Sequence, residues 1–345
     1  MSGRLKLRRG TVVSAEPLEV EVAGERRRAW ADEVLLGEMR EGDEVVVNAA
    51  ALDLGLGSGG FDVVHVNLSR GLDGSGVEGD AHVMKLNYTS LQHPVEPVEE
   101  KSVFPLGSRH PKGTPLSVLV LPLHGHLAPA AWAASQAAPG LRVGYVQTGG
   151  GALPGSMSRD VKQLRRRDIL AGHITAAPAY GGEHEALSTI GALDAAAALG
   201  WDAVLAGPGP GIIGSDTAYG HGGMAALDCA HAALSLDAPT LISPRLSSAD
   251  PRKRHLGLSH HTRTVLELLL AEVDVAVPEG EPEIAEELGG FGHRVLSAPA
   301  DLDGYGASGL PITTMGRSLS EDALFFAAPL AAGAVLARSL AGQGL

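Results

Sequence analysis

Two rhythms of apolar and polar positions divide the chain. From residue 4 to about 91, short stretches such as "TVVSAEPLEVEVAG", "ERRRAWADEV" and "GDEVVVNAAALDL" alternate apolar with polar residues between glycine-containing turns, the period of half-buried strands. "LGLGSGGFDVVHVNL" adds a glycine-rich turn and a further strand over Val63–Leu68. No helical period runs through this part, and a small β-barrel is the natural closure for so many short strands. Residues 92–115, "QHPVEPVEEKSVFPLGSRHPKGTP", carry five prolines and mixed charge and read as an extended connector.

From Leu116 the texture changes. The apolar runs "LSVLVLPLH", "LRVGYVQTG", "HITAAPAY", "DAVLAGPG", "PTLISPR", "VDVAVPEG" and "HRVLSAP" each end in Gly, Pro or a polar residue, and helix-length segments separate them. Such alternation predicts α/β architecture: a doubly wound, mainly parallel, Rossmann-like sheet of seven strands over residues 116–345, covered on both faces. Ligands bind beyond the carboxyl ends of such strands, so the loops there are the place to look for chemistry. The last apolar run, "ALFFAAPLAAGAVLA", is shorter than the roughly 20 residues of a membrane span and contains Pro329, which predicts a helix docked on its own domain and no membrane partner.

Bulk properties narrow the function. A net charge of −13 argues against general nucleic-acid binding, which needs a basic surface, and suits a cytoplasmic protein. The basic start "MSGRLKLRRG" lacks the apolar core of a signal peptide. Cys229 is the single cysteine, so no internal disulfide or cysteine-based metal cluster forms, and its helical setting suggests a small buried thiol.

The loop "GPGPGIIGSDTAYGHGG" holds the densest run of glycine. Gly209, Gly211 and Gly214 formally satisfy G-x-G-x-x-G, but the loop follows the fourth strand rather than the first. Pro208 and Pro210 also remove amide donors, and no acidic residue closes the next strand, which together argue against a nicotinamide cofactor. The loop reads instead as a ligand loop. Gly211 and Gly214 are expected at positive φ, Ser215 and Thr217 as polar contacts capping the next helix, Asp216 as a carboxylate, and His221 within that helix's first turns.

In "SPRLSSADPRKRHLGLSHHT", Arg245 and Arg254 precede Ser259, which is placed as an N-cap, with His260 and His261 in the first helical turn. Cations at a helix N-terminus are unfavourable alone, so this cluster points to an anionic ligand, or to neutral imidazoles used as ligands or bases. Other strand ends contribute Thr148, Glu183 and His184 at the start of a helix, and His124 and His126. Two readings stay open. The strand-end histidines His124, His126, His184, His221, His260 and His261, the first candidates being His124, His184 and His260, could bind a divalent metal with Glu183 or Asp216. Alternatively His221 or His260, oriented by Asp216, moves a proton while Arg245, Arg254 and the helix start at Ser259 hold a phosphate or carboxylate. No G-x-S-x-G elbow or P-loop lysine is present.

The segments "GDEVVVNAAALDLGLGSGGFDVVHVNL", "GPGPGIIGSDTAYG", "SPRLSSADPRKRHLGLSHHT" and "TTMGRSLSEDALFFAAPLAAG" together resemble a bacterial family known only as a domain of unknown function. The resemblance spans nearly the whole chain and implies this two-part layout, without assigning an activity or a catalytic residue. The expected function is binding of a small anionic metabolite at the carboxyl edge of the sheet, with hydrolysis or group transfer by histidine acid–base chemistry. The alternatives are a non-catalytic metabolite sensor and a homo-oligomeric scaffold packed through the C-terminal helix.

Overall fold

The computed structural model describes residues 4–56, 59–72, 79–101 and 116–342. They fall into two compact units, residues 1–96 and 97–345. The stretch 102–115 of the proline-rich segment lies outside the described residues.

In the first unit, strands β1 (Leu7–Ala15), β2 (Leu18–Val22), β3 (Glu25–Trp30), β4 (Glu44–Asn48) and β5 (Asp62–Asn67) close into a barrel in the order β1-β2-β3-β5-β4. Single-turn helices α1 (Glu33–Leu36) and α2 (Ala50–Asp53) interrupt the strands, and a ribbon of β6 (Val83–Lys85) and β7 (His93–Val95) follows. Alternation delivers Val12, Val20, Val22, Val45, Val47 and Val64 to the barrel core, where β-branched side chains suit a tight pleated interior.

The second unit carries strands β8 (Ser117–Val120), β9 (Val143–Thr148), β10 (His173–Ala176), β11 (His184–Ala186), β12 (Ala203–Pro208), β13 (Thr240–Ile242), β14 (Leu246–Ser247), β15 (Gly257–Leu258), β16 (Asp274–Pro278), β17 (Arg294–Ala298), β18 (Thr313–Thr314) and β19 (Arg317–Ser318). Its helices are α3 (Leu127–Ala137), α4 (Arg159–Arg166), α5 (Thr189–Ala198), α6 (Ala225–Ser235), α7 (His260–Leu268), α8 (Pro282–Gly289), α9 (Leu302–Ala307) and α10 (Ala323–Leu340). Eight strands form one parallel sheet in the order β11-β10-β9-β12-β8-β13-β16-β17.

The sheet is covered on both faces. Along β8, Val118 and Val120 join one apolar cluster with Leu193 of α5 and Cys229 of α6, while Leu119 joins the other with Leu127 of α3 and Phe325 of α10. That period-two division is why the strands read as continuous apolar runs. Neighbouring strands β8 and β12 send their following helices, α3 and α6, to opposite clusters. Their connections therefore diverge at the carboxyl ends, the kind of place where such sheets bind ligands.

The sheet has eight strands where the sequence pattern suggests seven. The extra one, β11, takes residues expected to open a helix. Its backbone pairs with β10, and the Glu185 carboxylate accepts from Thr175 Oγ1 (2.8 Å) and the Gly181 amide, so the helix waits until Thr189, capped by the Ser188 hydroxyl. Among the described residues α10 is the one helix long and apolar enough to cross a membrane by length and composition, and 67% of that window is buried within the fold. It packs on α3, where Gly333 lies so close to the Ala130 carbonyl that no side chain fits.

Candidate functional site

The glycine loop after β12 is built by contact with another loop. A Cβ at Gly222 would strike the Gly150 carbonyl, and one at Gly151 would strike the Gly209 carbonyl. Backbone thus packs on backbone between the loops that follow β9 and β12, joined by the Ala152 amide donating to the Pro210 carbonyl. Close approach, rather than ligand contact, accounts for Gly209 and Gly222. Gly211 does adopt positive φ (71°), whereas Gly214 does not.

Several expected roles in this loop change. Ser215 and Thr217 do not cap α6. Their hydroxyls bond each other (2.8 Å) and the Gly220 backbone, closing an exposed turn. The helix starts only at Ala225, so His221 lies ahead of it in extended backbone (φ −148°, ψ 148°). Asp216 is exposed and pairs with Arg254 (2.7 Å); the carboxylate does not hydrogen-bond either histidine it was expected to orient. The glycines carry the chain past these positions before local helix chemistry can take hold.

Across from His221, Ser259 caps α7 as expected, its Oγ accepting from the His261 amide (3.2 Å). The first turn of α7 then presents His260 and His261, and His255 folds in from the preceding segment with its Nδ1 2.7 Å from Ser259 Oγ. Four imidazoles cluster. His221 stacks on His261 with ring centres 3.8 Å apart, and His260 lies 4.4 Å from His261 and 5.4 Å from His221.

The partners define the tautomers of two rings. His221 Nε2 faces the Ala218 carbonyl at 2.9 Å, which can only accept, so Nε2 carries the proton and Nδ1 the lone pair. Arg245 Nη1 can only donate, so His261 Nδ1, at 3.2 Å, is also a lone pair. Neither ring nitrogen of His260 makes a hydrogen bond of ordinary geometry, although the Arg254 backbone stands near enough to favour its charged form. Burial is the leading cause that lowers all four rings from the usual histidine range, His255 to about 3 and His261 to about 2. The cluster is thus a set of neutral imidazoles at neutral pH.

Arg245 is nearly fully buried, and its charge is matched by Asp250 (3.3 Å), whose carboxylate also takes Arg252 (2.8 Å). Burial brings the Arg245 guanidinium down to about 10. Behind it, Arg317 bonds Asp322, which also accepts from Ser247 and Ser248. Asp250 is the counter-charge that the sequence offers to this basic segment, whereas Asp322 and Arg317 were not singled out, because their role depends on chain segments that meet only in space.

The other candidates lie elsewhere. His124 is buried against Ser158 (2.8 Å) and Tyr145 (3.3 Å), and burial lowers it to about 4. His184 sits on the terminal strand β11, and Glu183 is bound by Arg165. Of the histidines considered for a metal, the leading set His124, His184 and His260 is not brought together, while His221, His260 and His261 are. Thr148, at the end of β9, lines a cleft of about 290 Å³ with Gly149, Gly150, His221, Gly222 and Asp228. Buried His126 holds Ser243 at 2.9 Å beneath the site.

Residues 28–333 match the model of a family described as "Protein of unknown function (DUF3866)", and the chain belongs to that family, as its segments suggested. No curated protein and no solved structure gives a match.

Proposed function

We propose that this family member binds a small anionic metabolite at the carboxyl edge of its parallel sheet and acts on it by hydrolysis or group transfer. One observation carries the reading: His221 belongs to two places at once. Its ring lines the cleft beside Thr148, Gly149 and Gly150, and it also stacks on His261 in the buried imidazole cluster. A ligand in the cleft is thereby in reach of the chemistry.

The topology supports the location, since the cleft lies at the carboxyl edge of the sheet among the segments that follow β9, β10 and β12. At about 290 Å³ it suits a small molecule. Charge supports the ligand class. Among the described residues, the nearest cation to the cleft histidine's stacking partner is buried Arg245, 3.2 Å from His261 Nδ1, although no arginine lines the cleft itself. Asp228 lines the same cleft, so the anionic end of the ligand belongs on the His221 side. Cys229 offers no rival nucleophile, because burial raises its thiol to about 12.

Thermal unfolding with inorganic phosphate and with small carboxylates tests the reading. Both raise the melting temperature of the wild type, and Thr148→Val and His221→Asn reduce the shift. A neutral sugar stabilising as much as phosphate would overturn the ligand class. Binding with no turnover on any phosphate or carboxylate ester would leave a non-catalytic sensor.

A further inference from the structure

We infer that His221, His260 and His261 form a binding site for one divalent transition-metal cation, of the kind that imidazole ligands prefer. One potential ligand atom from each ring falls within 4.8 Å of the others. This gives the cluster a role beyond that of proton carriers, and the inference does not require the metabolite.

Three observations converge. First, the Nδ1 atoms of His221 and His261, both lone pairs by the nature of their partners, face the same small space. A Cβ built on Gly223 would lie 2.9 Å from the one and 3.2 Å from the other. Glycine at this position keeps the space between two acceptors open. Second, a buried polar nitrogen is left without a partner where hydrogen bonding is the rule: His221 Nδ1, in a residue only 6% exposed. The two acceptors stand side by side in stacked rings, and only the His261 nitrogen has a donor, Arg245. Third, His221 donates its other ring proton to the Ala218 carbonyl, the arrangement by which metal-binding histidines are held in the required tautomer and orientation.

The ligand type selects the ion. Neutral imidazole suits zinc, cobalt, nickel or copper, whereas calcium and magnesium require an oxygen shell. Three histidines leave a coordination position free, as in catalytic rather than structural centres. Metal–nitrogen bonds of about 2.0–2.1 Å require the nitrogens to stand closer than they do, and the stacked His221–His261 pair must tilt out of parallel so that both in-plane lone pairs reach one ion. His260, the least buried of the three, can close in on the ion from the other side. A cation on His261 Nδ1 replaces the Arg245 donor, and Arg245 keeps its bond to Asp250.

The test is calorimetric titration of the full chain, stripped by chelator, with zinc ions alone, and with cobalt ions for their visible spectrum. One equivalent binds per chain, cobalt takes the absorption of a nitrogen-rich, low-coordinate site, and magnesium does not compete. His221→Gln, His260→Gln and His261→Gln each weaken binding about a hundredfold or more, judged against the 10–100-fold that outer-shell changes alone produce. His184→Gln, far along the sheet, leaves it unchanged. Should a histidine variant fail to fold, Gly223→Ala decides, since it fills the space without removing a ligand and is expected to abolish binding. Zinc binding that is absent, or that survives these changes and disappears with His184→Gln, overturns the site. Absence of zinc binding by the wild-type chain with its phosphate shift intact refutes this inference alone, and zinc binding without a phosphate shift refutes only the proposed function.

Discussion

The rings of His221 and His261 lie face to face, 3.8 Å between centres and 8° from parallel, although one ends a glycine loop and the other opens a helix. Their contact ties the loop after β12 to the segment after β13, and Gly223 sets how near the two nitrogens can come.

Gly223→Ala therefore forces the pair apart. Its methyl group meets both Nδ1 atoms inside normal contact distance, and such overpacking costs about 1–3 kcal/mol. Gly289→Ala at the end of α8 meets nothing within 4 Å and gains helix propensity, so it stabilises by about 0.5–1 kcal/mol. Urea unfolding of both variants checks the contrast, and equal effects would contradict it.

Removing Asp250 strands Arg245. With its carboxylate gone, a guanidinium that is 2% exposed has no counter-charge among its present partners, and the expected loss is about 3–5 kcal/mol. Asp274→Ala breaks only the more exposed pair with Arg294 and costs about 0–1 kcal/mol. Chemical denaturation separates the two by midpoint.

Acid destabilises the α/β unit through its buried histidines. Burial holds His124 at about 4 and His126 at about 3, while both stand near 6.5 once unfolded. Between those limits the unfolded chain binds more protons, so stability is full above 6.5 and falls as pH drops toward the folded values. Each ring contributes up to about 1.4 kcal/mol per pH unit. Unfolding free energies measured from about pH 7.5 to about pH 5 show this slope, and His126→Gln flattens it by about one proton.

Cys229 is fully buried with its thiol raised to about 12. The folded protein is expected to resist alkylation at mildly basic pH and to react fully in denaturant. Rapid labelling of the native chain, followed by mass spectrometry, would contradict this burial.

The barrel strands, seven of the eight parallel strands, the Ser259 cap and the presence of His260 and His261 in the first turn of α7 were legible because they rest on period and on neighbours within a few residues. The β11 strand was not: three residues beginning at His184 look helical until β10 offers its edge. The same limit applies to the site. Sequence alone placed histidines, arginines and glycines at the strand ends, since side-chain type and local pattern need no partner. Only the tertiary structure decided that His221 meets His261, that Asp216 goes to Arg254, and that Gly209 and Gly222 serve loop packing. Those outcomes depend on which distant backbones approach closely enough to exclude water, and no local rhythm encodes that.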